Sequence, residues 1–307
     1  MPTKRPLLVC IVGPTAIGKT ALSISVAKYF STEIISADSR QFFAEMAIGT
    51  AVPSPEELEA APHHFIQDRS IFTPYNVGDF ERDAIDTLNQ LFKKHPIVVM
   101  VGGSGLYVDA VVRGLDAFPK VAPEIRQQLI EEFNTYGISK LQTELREKDP
   151  VYFETVAIDN QHRVIRALEI IRATGTPFSS FLTLTKKARK FDTLYIGLSA
   201  DRQLVYDRIN MRVDQMMKQG LLQEVQNLYA HKDLNALQTV GYKELFTYLD
   251  RQCSLEKAVS EIKKNTRRFA KRQGTWFRKN TAIHWFDYAK PHAEICEFIE
   301  HKNANPN

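Results

Sequence analysis

Residues 13 to 20 have the types and the spacing of a phosphate-binding loop. They match the pattern G-x-x-x-x-G-K-[ST] and follow the apolar run from Leu7 to Val12. Glycines let backbone N–H groups turn inward around an anion, the lysine reaches the outer phosphate, and the final hydroxyl ligates Mg²⁺. We therefore expect a polyphosphate to be held by Gly13, Pro14, Thr15, Ala16, Ile17, Gly18, Lys19 and Thr20.

The loop does not identify its polyphosphate. Most such loops bind ATP or GTP and draw a second Mg²⁺ anchor from an Asp that ends another strand. The predicted strand at 97–101 runs into Gly102-Gly103-Ser104-Gly105 without an acid, whereas Asp38 ends the predicted strand at 33–38. Because parallel strands present ligand sites beyond their carboxyl ends, Asp38 is expected in the same crevice as the loop. A carboxylate there suits either a magnesium ion or a proton.

The composition is that of a globular protein. The 307 residues carry 44% hydrophobic and 25% charged side chains with a net charge of +4, which is too small to indicate a nucleic-acid partner by itself. Three distant cysteines predict neither a disulfide framework nor a zinc knuckle. No segment approaches the length needed to span a membrane, so we expect a cytoplasmic protein without a membrane partner.

The positive charge concentrates near the carboxyl terminus. Residues 263–279 contain eight basic side chains and no acidic ones. At helical spacing the segment has an apolar stripe, expected to be buried, formed by Ile262, Phe269, Trp276 and Phe277. Its basic face holds Lys264, Arg268, Lys271 and Arg272. This face is either merely solvated or a surface that follows an RNA backbone.

The elements that must position these groups alternate between strands and helices. Strands are predicted at 7–12, 33–38, 97–102, 194–199 and 282–287, which indicates an α/β fold with a parallel sheet flanked by helices. The stretch 119–190 has helical periodicity and no convincing strand. We therefore predict a core formed by 1–118 and 191–302, an all-helical insertion domain at 119–190, and a disordered tail at 303–307.

Several blocks of sequence together resemble the bacterial-type tRNA dimethylallyltransferases, also called tRNA isopentenyltransferases or the IPP transferase family. The blocks are the loop at 13–20, Asp38-Ser39-Arg40-Gln41, Pro62-His63-His64, 75–80, 101–107, 163–169, 240–245 and Arg272-Gln273-Gly274-Thr275-Trp276-Phe277. Each block is weak alone, but their order and spacing are specific. The resemblance implies a P-loop NTPase-like sheet.

The resemblance also implies a reaction. A dimethylallyl group would pass from dimethylallyl diphosphate to N6 of the adenosine 3′-adjacent to the anticodon, in tRNAs reading codons that begin with U, and diphosphate would be released. The partners would be the anticodon stem-loop of a tRNA and the prenyl donor. The cofactor would be Mg²⁺, and the enzyme would be a monomer. The loop would hold the donor's diphosphate.

The same resemblance assigns roles to residues. Asp38 would be the general base, Lys19 and Arg212 would act on the leaving diphosphate, and Thr20 would ligate Mg²⁺. The tRNA would be contacted by Asp38, Ser39, Arg40, Gln41, Ser104, Arg126, His162, Arg163, Val164, Ile165 and Arg166.

Three positions depart from the family pattern. Ile17 replaces a small residue inside the loop, Phe43 stands where Tyr is usual, and His162 stands where Gln is frequent. The last difference puts one RNA hydrogen bond in doubt. His63 and His64 have no visible third ligand, which favours a structural role over a metal site.

Three rival functions explain less of the sequence. A small-molecule P-loop kinase would share the loop and sheet but leaves Gln41 and the basic segment without a role. A prenyltransferase acting on free AMP or ATP would need no long RNA surface. An RNA-binding module without turnover does not explain Asp38 beside an intact loop.

Overall fold

The computed structural model describes residues 5–182 and 187–305, and it contains a six-stranded parallel sheet. The strands, in chain order β1 to β6, are Leu7–Val12, Ile34–Ser36, His63–His64, Ile97–Gly102, Asp192–Ser199 and Ile283–Asp287. Their order across the sheet is β3-β2-β4-β1-β5-β6. The predicted α/β class, with a parallel sheet flanked by helices, is confirmed.

Thirteen helices occur in the described part of the chain. Those before residue 114 are α1 (Lys19–Tyr29), α2 (Pro55–Ala60), α3 (Val77–Leu91) and α4 (Gly105–Arg113). The next four are α5 (Pro123–Tyr136), α6 (Ile138–Lys148), α7 (Pro150–Thr155) and α8 (Gln161–Thr174). The last five are α9 (Arg202–Lys218), α10 (Leu221–Leu228), α11 (Tyr242–Leu249), α12 (Leu255–Phe277) and α13 (His292–Ala304). Short 3₁₀ helices span Phe178–Phe181, Tyr229–His231 and Asn235–Leu237.

The sheet is buried on both faces. Strand β1 pairs with β4 on one side and β5 on the other, and every one of its residues is buried. Leu7, Val9 and Ile11 belong to one hydrophobic cluster. Leu8, Cys10 and Val12 belong to the cluster on the opposite face. A continuous apolar strand is expected where helices cover both faces, and it places the loop after β1 at the middle of the sheet edge.

Several element ends differ from the sequence predictions. Strand β2 ends at Ser36, so Asp38 lies two residues beyond the strand. The edge strand β3 was missed because two residues carry no periodicity. Helix α13 continues to Ala304, so the predicted tail from 303 begins too early; Ile295, Cys296 and Ile299 anchor that helix in the core. Residues 306 and 307 of that tail lie outside the described part of the chain.

The chain divides into two compact units. The first comprises Met1–Arg113 and Ala188–Asn307, and the second is Gly114–Lys187. The sequence pattern placed these boundaries at 119 and 190. The second unit contains α5 to α8, whose shared core is formed by Leu129, Leu141, Leu145, Val164, Leu168, Ile171 and Phe178.

Proline and glycine set the helix ends of this second unit. Pro123 and Pro150 stand in the first turns of α5 and α7, where proline's missing N–H costs nothing. Gly175 ends α8 in the left-handed conformation, with φ of 70°. Across the described residues of both units, none of the helices combines the length and the apolar character that crossing a bilayer would require.

Candidate active site

The phosphate loop connects β1 to α1 at the centre of the sheet edge. Gly18 caps α1 with φ of 107°, a conformation that favours glycine, and Lys19 is the first residue of the helix. Gly13 has φ of 144°, and a Cβ there would lie 2.7 Å from the carbonyl oxygen of Leu198 on β5. Two of the motif's glycines are therefore required by backbone geometry. The helix start directs N–H groups toward an anion above the loop.

Three side chains hold the loop in place. The Lys19 ammonium donates to the carbonyl of Pro14 over 2.7 Å. Arg208 Nε donates to the carbonyl of Ala16 over 2.7 Å. The backbone N–H of Thr15 donates to Gln273 Oε1 over 2.9 Å. Because α9 and α12 supply two of these contacts, distant parts of the chain fix the loop's shape.

A cavity of approximately 1080 Å³ opens above the loop, within the first unit. Its polar wall includes Thr15, Lys19, Thr20, Asp38, Ser39, Arg40, Gln41, Ser104, Arg208, Arg212 and Arg272. Its apolar lining includes Ile17, Ile209, Val213, Met216, Leu221, Ile262 and Phe269. A single cavity therefore combines a phosphate-binding end with an apolar wall.

Asp38 lies in this cavity although it is outside the strand. Its Oδ1 accepts a hydrogen bond from the Arg40 N–H over 3.1 Å, which closes a tight turn after β2. Desolvation lowers the pKa of both Lys19 and Arg212, and the Asp38 carboxylate is close enough for its charge to oppose that shift. The structure therefore brings together the three residues that the sequence predicted to be catalytic.

Desolvation lowers the pKa of both cations. For Lys19 the pKa falls to about 8; desolvation is the main cause, the Asp38 charge opposes the shift, and the Arg212 charge adds to it. Desolvation also lowers the pKa of Arg212, again opposed by Asp38. One carboxylate cannot compensate both buried cations fully. An anionic ligand would restore the balance, since opposite charge favours the charged form of each group.

The residues after Asp38 are already hydrogen-bonded. The Ser39 N–H and Ser104 Oγ lie 3.2 Å apart and link the turn to the loop after β4. Gln41 Nε2 donates to the carbonyl of Ala51 over 2.9 Å and its Oε1 accepts from Ser36 Oγ over 3.1 Å. Gln41 therefore reaches the cavity wall with its amide bound to the chain.

The Arg40 side chain also forms hydrogen bonds within the chain. Its guanidinium donates to the carbonyls of Asn235 and Ala236, each over 3.0 Å. These bonds tie the turn after β2 to the 3₁₀ helix at Asn235–Leu237. A tRNA contact by Arg40 would have to use its remaining N–H groups.

Helix α12 presents a mixed face to the cavity. Ile262, Thr266, Phe269 and Arg272 line the cavity at spacings of three and four residues. The prediction that Phe269 and Trp276 are buried is wrong, because their exposed fractions are 37% and 41%. Phe269 lies at the cavity, where a buried stripe was expected. Arg272 turns toward the cavity with it, and its guanidinium carbon lies 5.6 Å from the Phe269 ring centre.

The remaining residues predicted to contact tRNA belong to the second unit. Arg126 and Arg166 share the carboxylate of Glu169, over 2.9 Å and 3.2 Å. His162 and Arg163 are exposed in the first turn of α8. Val164 and Ile165 are buried in the helical core, so their side chains are not available to RNA in this structure. The periodicity of α8 explains this, since two consecutive apolar residues face inward.

Sequence reasoning missed Arg208 and Gln273. Arg208 stands four residues before Arg212, so both lie on the same face of α9, and this spacing could have identified it. Gln273 belongs to a recognised sequence block, but nothing in that block indicates a contact with a loop 258 residues away.

The cavity contains suitable oxygen ligands for a magnesium ion. Thr20 and Asp38 both line it, and Mg²⁺ prefers oxygen ligands, several of them from water and phosphate. Within residues 5–182 and 187–305, no three His, Cys, Asp or Glu side chains form a group that could hold a metal by themselves. A bound polyphosphate would therefore have to supply part of the coordination.

His63 forms a hydrogen bond within the chain. Its Nδ1 donates to the carbonyl of Ala61 over 2.7 Å.

Comparison with known proteins agrees with this geometry. The family model described as IPP transferase matches residues 41–280. A tRNA dimethylallyltransferase of Christiangramia forsetii is 59% identical, over 96% of this chain and 98% of the relative. One of Flavobacterium psychrophilum is 54% identical, also over 96% of this chain and 98% of the relative.

Solved structures are similar over the same length. A tRNA isopentenylpyrophosphate transferase from Bacillus halodurans is 38% identical with a TM-score of 0.73, over 98% of this chain and 97% of that one. A eukaryotic dimethylallyltransferase acting on tRNA is 25% identical with a TM-score of 0.80, over 98% of this chain and 80% of that one.

The lowered pKa of Lys19 predicts a pH dependence of anion binding. Below about pH 8 the ammonium is charged and attracts phosphate; above it the free lysine is neutral and this attraction is lost. We consider the ratio of two affinities for inorganic diphosphate, that of the wild-type protein and that of the Lys19→Met variant. This ratio should fall by roughly tenfold to hundredfold between about pH 7 and about pH 10. Calorimetric titrations of both proteins measure this ratio and cancel the ionisation of diphosphate itself. A ratio that is constant with pH would contradict the prediction.

Proposed function

The chain belongs to the IPP transferase family, and on this premise we propose which of its residues transfer a dimethylallyl group to N6 of a tRNA adenosine. The overall activity, prenylation of tRNA with dimethylallyl diphosphate, follows from relatives that are 59% and 54% identical over almost the whole chain. The observation that carries the assignment of residues is the single cavity that combines the phosphate loop, Asp38 and an apolar wall.

The two halves of the prenyl donor match the two ends of the cavity. The loop N–H groups and Lys19 would bind the diphosphate, because they form an anion site at a helix start. The five-carbon tail would lie against the apolar residues of α9 and α12, among them Ile209, Val213 and Ile262. Burying the tail removes apolar surface from water and excludes water from the reacting carbon.

The acceptor would enter from the side of Asp38. The adenine amine is a poor nucleophile because its lone pair is delocalised into the ring, so its N–H needs an aligned acceptor. We assign this role to the Asp38 carboxylate, which lies close to Lys19. A carboxylate is a weak base near neutral pH, so Asp38 would orient the amine first and take the proton late.

The bond changes balance without any further reactant. The N6 nitrogen forms a bond to the first carbon of the prenyl group, and the bond from that carbon to the diphosphate oxygen breaks. The N6 proton passes to Asp38, and diphosphate leaves with the electron pair. Lys19 and Arg212 would stabilise the growing charge on the leaving oxygens, where desolvation strengthens each interaction.

Magnesium fits the same site. Thr20 Oγ would ligate Mg²⁺ together with oxygens of the diphosphate and water, and the ion would neutralise charge on the leaving group. Asp38 would then remain available to the adenine amine. No nucleoside triphosphate is needed in this scheme, because the donor itself contains the leaving diphosphate.

Each unit, taken by itself, has exposed residues that we propose contact tRNA. In the first unit, the exposed face of α12 around Arg268 and Lys271 offers positive charge beside Phe269 at the cavity. In the second, His162 and Arg163 are exposed at the start of α8. We propose an anticodon stem-loop as substrate, because a base in a loop leaves its stack more easily than one in a duplex. Restriction to tRNAs reading codons that begin with U, a monomeric state and a cytoplasmic location belong to the same proposal.

Asp38→Asn should slow prenyl transfer by about 10² to 10⁴-fold while donor and tRNA affinities change little. The asparagine can still accept the Arg40 N–H and keep the turn, while the proton acceptor and the negative charge beside Lys19 and Arg212 are lost. Single-turnover rates measure the chemical step directly. Asp207→Asn is the matched control, because Asp207 is an exposed residue of α9. A rate within tenfold of wild type would remove Asp38 from the chemistry.

Neutralising Lys264, Arg268 and Lys271 to Gln should weaken tRNA binding and flatten its salt dependence. These residues follow one another at spacings of four and three on α12, and none of them lines the cavity. Each lost phosphate contact reduces the slope of log affinity against log salt by about 0.7 to 0.9. Donor affinity is the internal control and should stay unchanged. An unaltered slope would show that this face is only solvated.

The energy supply distinguishes prenyl transfer from the kinase alternative. The assay contains purified enzyme, dimethylallyl diphosphate, Mg²⁺ and an anticodon stem-loop in ATP-free buffer. One diphosphate should be released for each adenosine that is modified at N6. Chelation of Mg²⁺ should suppress the reaction, because charge on the leaving group is then uncompensated. Mass analysis of nucleosides and a phosphate-specific assay measure both products. A strict need for ATP, or orthophosphate as the stoichiometric product, would overturn the assignment.

A further inference from the structure

Gln273 on α12 connects two backbone segments that meet at the cavity. Its Oε1 accepts the Thr15 N–H of the phosphate loop over 2.9 Å, and its Nε2 donates to the Gly103 carbonyl over 3.0 Å. The residue is only 6% exposed, which is unusual for glutamine. A buried amide with both ends bonded holds two segments at a set separation, because losing either bond would leave a buried polar group unpaired.

Gly103 leaves the space that this amide occupies. A Cβ at Gly103 would lie 2.2 Å from Gln273 Nε2 and 3.2 Å from its Cδ. The first distance is far below van der Waals contact, so any larger residue would displace the amide. Unlike Gly13 and Gly18, Gly103 is not among the positive-φ glycines. The amide can occupy its place only if position 103 has no side chain, and the backbone at Gly103 sets no such condition.

Trp276 fixes the same face of α12 one turn further along. Its Nε1 donates to Asp109 Oδ2 over 2.9 Å. A Cβ at Gly105 would lie 2.3 Å from the indole ring. Gln273 and Trp276, three residues apart, thus pack against Gly103 in the loop after β4 and Gly105 at the start of α4. Both contacts hold this face of α12 against the chain that follows β4.

The Thr15 N–H is therefore used by the protein itself and not by a ligand. On the other side of the loop, Arg208 binds the carbonyl of Ala16, the next residue. These two bonds restrain the Pro14–Thr15 and Ala16–Ile17 peptide groups, between which Ala16 has a left-handed φ of 63°. The remaining N–H groups up to Thr20 can then point together at one anion.

We propose that Gln273 is a positioning residue for the prenyl donor: it holds the phosphate loop in its binding conformation by bridging Thr15 to Gly103. The inference rests on the proposed function in one respect, namely that the loop binds the diphosphate. Gln273 is not among the residues that line the cavity, so it would act on the donor through the loop. Its effect is to have the loop ordered before the donor arrives, which removes a cost of binding.

The first test removes the bridge while keeping its length. Gln273→Met should weaken binding of dimethylallyl diphosphate about tenfold, measured by calorimetry without tRNA so that no transfer can occur. The affinity for tRNA should change less than twofold. In steady state the KM for the donor should rise by a similar factor while the KM for tRNA stays constant. Gln223→Met, at an exposed position of α10, is the matched control.

The second test approaches the same contact from the other side. Gly103→Ala should weaken donor binding about tenfold in the wild-type background, because its methyl group displaces the amide. With Gln273→Ala already present the space is empty, and adding Gly103→Ala should cost less than about twofold. This non-additivity identifies the two residues as one contact, which a separate structural defect at each site would not produce.

The outcomes separate the inference from the proposed function. If Lys19→Met leaves donor affinity unchanged, the loop does not bind the donor and the proposed function fails. If Lys19→Met weakens donor binding and Gln273→Met does not, the inference fails alone. Equal losses of donor and tRNA affinity in Gln273→Met, together with a lowered Tm, would also overturn it. Additive effects of Gly103→Ala and Gln273→Ala would do the same.

Discussion

The arrangement of charge in a desolvated cavity is the constraint on which the rest of the structure depends. Lys19 and Arg212 are both buried enough that desolvation lowers their pKa, and Asp38 compensates only part of the cost. Such a site is stable because the surrounding protein holds it, and it is completed by an anion. In the proposed function, a donor with a diphosphate at one end would supply that anion. Desolvation would then strengthen the contacts that stabilise the leaving group.

The long helices α9 and α12 serve this site in two ways. They line the cavity through Arg212 and Phe269, and they hold the phosphate loop through Arg208 and Gln273. They are joined to each other where Arg267 donates to Asn210 Oδ1 over 2.7 Å. The same two helices therefore fix the geometry of the loop, and in the proposed function they would also contribute to donor and acceptor binding. The contact between Gln273 and Gly103 couples two residues that are far apart in sequence.

Much of the fold could be predicted because the central strands are short apolar runs separated by helical periodicity. Strand β1 and the loop after it have the predicted bounds, since a buried parallel strand and a phosphate loop both have strong local patterns. Local pattern failed where tertiary contacts decide. The two-residue strand β3 exists only by pairing with β2, and the amphipathic pattern of α12 could not show that Phe269 faces a cavity and Trp276 covers Gly105.

The sequence by itself determined the phosphate loop, the α/β alternation, the resemblance to the family and the identities of Lys19, Asp38 and Arg212. These follow from residue types at short spacing or from the order of blocks along the chain. Only the tertiary structure decided that Arg212 joins Lys19 and Asp38 in one cavity, that Arg40 and Gln41 are bound to the chain, and that Gln273 bridges Thr15 to Gly103. The physical reason is distance along the chain. A contact between residues 15 and 273 has no local signature, because it is formed only when the sheet brings their helices and loops together.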